Sequence, residues 1–229
     1  SRSGVCSCKS IQWRIRKYEF FYHVGVVSCD GKICLILYEY NPTLFNLGVT
    51  LSTTLADQSN LIQCNINTLL VARDMIHQLP ADKYNHTERP YFESCIGKHL
   101  RHVLDHYLCF QRDIDSGIID YEQRTRSSQL ETDKDYALSM VERLLVFLQS
   151  LAATQDRTVK VNLCSDVSFP KGEITDSTLR RELQFLQGHT VHHYALIATM
   201  LRFYGIDTSR ELGMAPSTLV HEETIKASA

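Results

Sequence analysis

Long apolar stretches are missing from this 229-residue chain. Its longest compact apolar run, Ile33 to Tyr38, falls far short of the roughly 20 residues a membrane-spanning helix needs, so no membrane partner is expected. Excess positive charge is missing too: 24 Lys and Arg face 26 Asp and Glu, a formal net charge of −2. A protein that binds nucleic acid electrostatically needs a basic excess or stripe, so no nucleic-acid partner is expected either. The first residues are polar and lack the apolar segment of a secretory signal. There is no phosphate-cradling GxxxxGK[ST] or GxGxxG, no GxSxG nucleophile turn and no HExxH zinc helix. Internal repeats and low-complexity segments are absent.

Eight cysteines are present, but Cys6/Cys8 and Cys29/Cys34 do not form CxxC pairs at zinc-ribbon spacing. A chain of this size does not need disulfide staples, and reduced thiols in a cytoplasmic protein are the expected state. Cys95, Cys109 and Cys164 are open to a nucleophile reading, but a cysteine buried among apolar groups is inert by default. Asn85-His86-Thr87 is a formal glycosylation sequon that lacks a secretory context.

Three segments follow from the pattern along the chain. Residues 1–52 form an N-terminal extension in which Phe20 to Val27 and Lys32 to Tyr40 are strand-like. Asp30-Gly31 between them is a hairpin turn signal, and Asn41-Pro42 stops the second run. The chain opens on Ser1 with its first methionine at Met75, and no function is read from this extension. Residues 53–205 turn helical. Leu61, Ile62, Ile66, Leu69, Leu70, Ile76 and Leu79 recur at three- and four-residue spacing up to Pro80. A second helix is expected from about Phe92 to Ile114, closed by Ser116-Gly117, followed by a polar loop through Asp120-Tyr121 and Arg124/Arg126. That loop reads as solvated, with anion binding its other use. Thr132 or Asp133 caps a third helix. Thr158 to Leu163 alternates like a short strand, with a partner near Glu173 to Thr175. A fourth helix begins at Ser177-Thr178 and stops at Gly205. Residues 206–229 are a tail, read as loop with at most a short helix. The fold class is therefore all-α: a four-helix bundle, with a small hairpin in the extension and a short strand pair before the last bundle helix.

What the chain does hold is clustered histidine. Six of its ten histidines lie at His99, His102 and His106 and at His189, His192 and His193. Neutral imidazole is the commonest protein ligand for transition metals. Histidines four apart on one helix face can hold an ion together, and a third from another helix leaves positions open for water or substrate. On a wheel of the fourth helix, His189 and His193 fall inside an apolar stripe with Phe185, Leu186, Leu196, Met200, Phe203 and Tyr204, and His192 lies at its edge. Burying two imidazoles there requires hydrogen-bond partners or a metal. A metal-free bundle with hydrogen-bonded core histidines is the plainer alternative. Glu182, one heptad earlier, is open to two uses: a carboxylate orienting a ligand or an ion-pair partner for an arginine such as Arg101. Periodicity does not choose among the three histidines of the second helix.

The segments Ser94 to His106 and, roughly 80 residues later, Gly188 to Ile197 together resemble the DinB/YfiT-like superfamily over about residues 57–205. The resemblance implies a metal-binding four-helix bundle with His-x-x-x-His on the last helix, here His189 and His193. It implies a third ligand on the second helix, best matched by His102, with His106 and His99 as fallbacks. It further implies one divalent metal (zinc, nickel or iron) and, in some members, a low-molecular-weight thiol as co-substrate. The resulting expectation is a metal- and thiol-dependent S-transferase-like enzyme or hydrolase acting on a small electrophilic molecule, compatible with a homodimer. The alternative is a non-enzymatic, stress-responsive bundle with a structural metal. No additional catalytic domain of the sulfoxide-synthase kind is evident.

Overall fold

The computed structural model describes residues 22–29, 32–39, 53–168 and 170–228. The chain divides into two compact units, 1–50 and 51–229. In the first, β1 (Tyr22–Cys29) pairs antiparallel with β2 (Lys32–Glu39), from Tyr22 opposite Glu39 to Cys29 opposite Lys32. The strand-like runs read from the sequence overlap these two strands. The Asp30-Gly31 turn and the Asn41-Pro42 stop lie outside the described residues.

The second unit is mostly helical. Four long helices, α1 (Thr53–Gln78), α3 (Ile96–Asp113), α5 (Lys134–Ser150) and α6 (Leu179–Phe203), are joined by short α2 (Ala81–Tyr84) and α4 (Ser128–Thr132). Both α1 and α3 pack against α5 and α6. The ends follow local chemistry. Asp133 Oδ1 accepts from the backbone N–H of Asp135 and Tyr136 to start α5, and Thr178 Oγ1 accepts from Arg181 N–H to start α6, each satisfying otherwise orphaned amides. Gly205 closes α6 with a φ of +70°, a conformation that costs glycine little. The second helix begins at Ile96, not near Phe92, because the Cys95 thiol caps it by accepting from Lys98 N–H. The helical stretch Lys134–Ala153, α5 with the turn that follows it, is by length and composition long and apolar enough to cross a membrane. Its apolar face (Ala137, Val141, Leu144, Leu145, Leu148) is buried in the protein core.

A three-stranded sheet lies between α3 and α6 in sequence. The middle strand β4 (Thr158–Leu163) pairs antiparallel with β5 (Glu173–Thr178) and parallel with β3 (Ile118–Asp120). The polar loop expected after the second helix therefore contains a strand. With three residues, β3 is too short to show alternation, yet Ile119 and the following Tyr121 are fully buried. The tail also departs from expectation: Pro216–Ala227 forms a 12-residue helix, α7, none of whose residues is buried. Pro216 at the first helical turn is favourable there, since its missing N–H would have had no partner.

One buried amide ties three long helices together. Asn65, on α1, donates to the carbonyls of Leu61 and of Leu183 on α6, and its Oδ1 accepts from Tyr107 of α3 at 2.8 Å. At the start of α3, Gly97 allows a close approach: a Cβ there would overlap the Glu131 carbonyl oxygen of α4 and the ring of Tyr84. Tyr84 is itself held by a hydrogen bond to Leu130 O. Neither neighbour can yield freely. Gly97→Ala is expected to destabilise the domain by about 1–3 kcal/mol through overpacking. In chemical denaturation this lowers the midpoint at unchanged slope; an unchanged midpoint contradicts the close packing.

Candidate metal centre

The two histidine-bearing segments are brought face to face because α3 packs against α6. The buried face of α6 runs through Leu183, Leu186, Thr190, Tyr194, Ile197 and Leu201. It is centred one position round from the stripe read on the wheel. Leu196 and Phe203, which drew that stripe towards the histidines, are substantially exposed. His189 and His193 consequently sit half-buried on the flank that faces α3, not in mid-core. On α3, His106 is buried and His99 and His102 are half-buried. His192 is exposed.

His102, His189 and His193 each present a ring nitrogen, all within 4.8 Å of one another, so the three could hold a metal ion. His189 Nε2 and His193 Nε2 are 3.2 Å apart. Two nitrogens bound at about 2.0–2.1 Å to one tetrahedral or octahedral ion would lie roughly 3.0–3.4 Å apart, so this pair already has the spacing of a ligand edge. The third nitrogen needs a modest approach. Within the described residues, neither ring nitrogen of His102 has a hydrogen-bond partner, and the buried Nδ1 of His189 has none either. Three ring nitrogens gathered from two helices fit a metal site.

The other rings are occupied. His106 Nδ1 lies 2.8 Å from the His102 carbonyl, which can only accept, so the His106 proton is on Nδ1. Its Nε2 then accepts from Arg124 Nη1 at 3.2 Å. With both nitrogens committed, His106 is not available as the α3 ligand in this arrangement. His99 Nδ1 meets His193 Nδ1 at 3.1 Å. Glu182 takes neither of the two uses open to it from the sequence. Its carboxylate accepts from Tyr121 and Ser177 hydroxyls, while Arg101 pairs with Asp105 and Glu131.

Phe185 stacks on His189 at 5.6 Å between centroids, and Tyr121 lies 5.5 Å from His106. The two rings also touch each other and line a cavity of about 240 Å³ with Glu182 and Arg181. Neither Tyr121 nor Arg124 was singled out as a neighbour of the histidines from the sequence. No local signal marks them; only the path of the chain after β3 carries them there. Cys95 and Cys109 are buried thiols whose pKa values burial pushes up, Cys109 to about 11. Neither is activated as a nucleophile.

Burial depresses the histidines strongly. Loss of solvent is the main cause, reinforced by the neighbouring imidazoles and, for His102, His106 and His189, by Arg124. His102, His106 and His193 fall to about 3 and His189 to about 4. At neutral pH all four are uncharged, the form that binds metal. The same shifts couple to folding. Their folded values lie below the ordinary histidine value of about 6.5, so on acidification the unfolded chain takes up protons first. Their stability contribution is complete above about pH 6.5 and is lost as pH falls towards 3–4. The metal-stripped protein should therefore melt at lower temperature at pH 5.5 than at pH 7.5, a window above the ordinary carboxylate range. A flat melting temperature across that window contradicts the neutral cluster.

Residues 53–210 match the family model described as the DinB family. Over 105 residues the chain is also 26% identical to FK506-binding protein 5 of Rhizopus delemar. That alignment covers 45% of this chain and spans 27% of the relative's length.

Proposed function

The chain belongs to the DinB family, and from that premise we propose that its helical unit is a four-helix bundle of α1, α3, α5 and α6 that binds one divalent metal through His102, His189 and His193. The observation that carries this reading is the convergence of three neutral imidazoles from two helices, with a ligand-like 3.2 Å edge between His189 and His193. When bound, the ion would supply a Lewis-acid centre that lowers the pKa of a water or thiol in an open position. Zinc, nickel and iron all accept imidazole, and the donor set does not choose among them.

The protein's own residues then have distinct tasks. A neutral imidazole carries one N–H, so if His193 coordinates through Nε2 its proton lies on Nδ1 and is donated to His99 Nδ1. His99 thereby orients His193, a task commonly done by a carboxylate or backbone carbonyl. Phe185 and Tyr121 restrict water on the side towards the sheet. The half-buried faces of His102, His189 and His193 leave access for a small molecule. The activity this supports best is a metal- and thiol-dependent transfer or hydrolysis on a small electrophile. The second reading is a non-enzymatic bundle in which the same three histidines hold a structural metal.

Elemental analysis of gently purified protein should find close to one divalent ion per chain, and His193→Ala should abolish it. Absence of metal from the unaltered protein overturns the site. Thiol-dependent turnover of a model electrophile separates the two readings, and its absence across several thiols favours the structural one. Removing the orienting ring by His99→Ala should weaken metal affinity by about 10–100-fold in chelator competition. An unchanged affinity would show that His99 does not orient His193.

A further inference from the structure

Both ring nitrogens of His193 face another imidazole. Nε2 lies 3.2 Å from His189 Nε2, and Nδ1 lies 3.1 Å from His99 Nδ1. Two nitrogens bound to one ion stand roughly 3.0–3.4 Å apart. The spacing that marks the His189–His193 pair as a ligand edge therefore recurs on the other side of the same ring. This second edge also joins the two helices, with His99 on α3 and His193 on α6.

In the one-ion centre a proton holds the second edge, carried on His193 Nδ1 and donated to His99. Divalent metals and protons compete for the same imidazole nitrogens. A cation bound at one nitrogen of a ring also makes the remaining N–H more acidic, which favours its replacement by a second ion.

A third nitrogen is at hand. His192 precedes His193, and their ring centroids are 5.1 Å apart. It is exposed, so its side chain can turn towards the edge without unpacking a neighbour. It is also near enough to His99 to help lower the pKa of that ring. The donors are all nitrogen, a set that transition ions such as zinc and copper accept and that the oxygen-seeking ions magnesium and calcium do not.

We propose that the cleft is a two-metal centre bridged by His193, in which a second divalent transition ion is held by His99 Nδ1, His193 Nδ1 and His192 in place of the proton between His99 and His193. The displaced proton passes to water. His193 becomes an imidazolate, whose negative charge offsets part of the repulsion between the two ions. The remainder of that repulsion makes this site the weaker of the two. The proposal rests on the reading of His102, His189 and His193 as the first site. It adds a second ion at the more exposed end of the cleft, where three protein ligands leave a position open.

The test uses full-length wild-type, His192→Ala and His99→Ala protein, each stripped of metal. Bound zinc is counted by equilibrium dialysis at pH 7.5, with magnesium as a control and thermal melting as the check on folding. Wild type should take up a first zinc tightly and a second more weakly, and should ignore magnesium. His192→Ala should keep the first zinc near wild-type affinity and bind the second at least about tenfold more weakly, as for a lost ligand worth about 1.4 kcal/mol or more. His99→Ala should lose the second ion outright. Copper(II) then tests the bridge. With two ions per chain, magnetic coupling through the shared imidazolate should reduce the electron paramagnetic resonance signal below that of two isolated ions. Saturation of wild type at one ion overturns this proposal and leaves the first site standing, whereas binding of none overturns both. Uncoupled copper signals, or a second zinc held at full affinity by both variants, also overturn the bridge.

Discussion

Every imidazole placed between α3 and α6 must be uncharged, and much of the domain's polar architecture follows from that requirement. A protonated ring there would sit among other rings and beside Arg124, with no carboxylate among the described residues hydrogen-bonded to it. Neutrality in turn forces each ring to declare which nitrogen carries its proton. The His102 carbonyl makes that choice for His106, and Arg124 takes the nitrogen left over. His99 takes one side of His193. What is left to serve a metal is one ring nitrogen each on His102, His189 and His193.

Fixing those rings is work shared by groups that never touch them. Glu182 gathers Tyr121 from beyond β3 and Ser177 from β5 onto α6. This sets the wall behind His106 and His189 and delivers Arg124 to its place. Asn65 does the equivalent on the α1 side, where it holds Leu183 of α6 and Tyr107 of α3 to α1. A buried polar group satisfied on all sides specifies one helix register better than apolar contacts, which slide. The two hubs differ in chemistry, one a carboxylate gripped by hydroxyls and one an amide between carbonyls. Both act on α6.

The sequence was most informative where one residue type decides local geometry. Pro80 after α1, Asp133 before α5, Thr178 before α6 and Gly205 after it all mark helix ends through backbone chemistry that needs no distant partner. The same holds for the strand pair β4–β5. The His-x-x-x-His spacing was visible because α6 is regular. Its orientation was less so. Apolar residues occupy two sides of α6, and the wheel could not know that Leu196 and Phe203 would face out. The choice among the α3 histidines was likewise closed to the sequence. It depends on a carbonyl one turn back and on an arginine from a separate segment. Glu182 was misread for a related reason: its partners, Tyr121 and Ser177, reach it only after the sheet has formed.

The distance along the chain between the two halves of the centre has a kinetic consequence. His99 and His193 meet across 94 positions, with α5 and the whole sheet threaded between them. Closing so long a loop carries an entropic cost that no local contact offsets, and contacts of that separation slow folding. The paired rings therefore form as a product of completed folding and cannot seed it. Their assembly reports that the intervening helix and sheet are in place, which makes the cleft a sensitive probe of whether a destabilised variant has reached its native state.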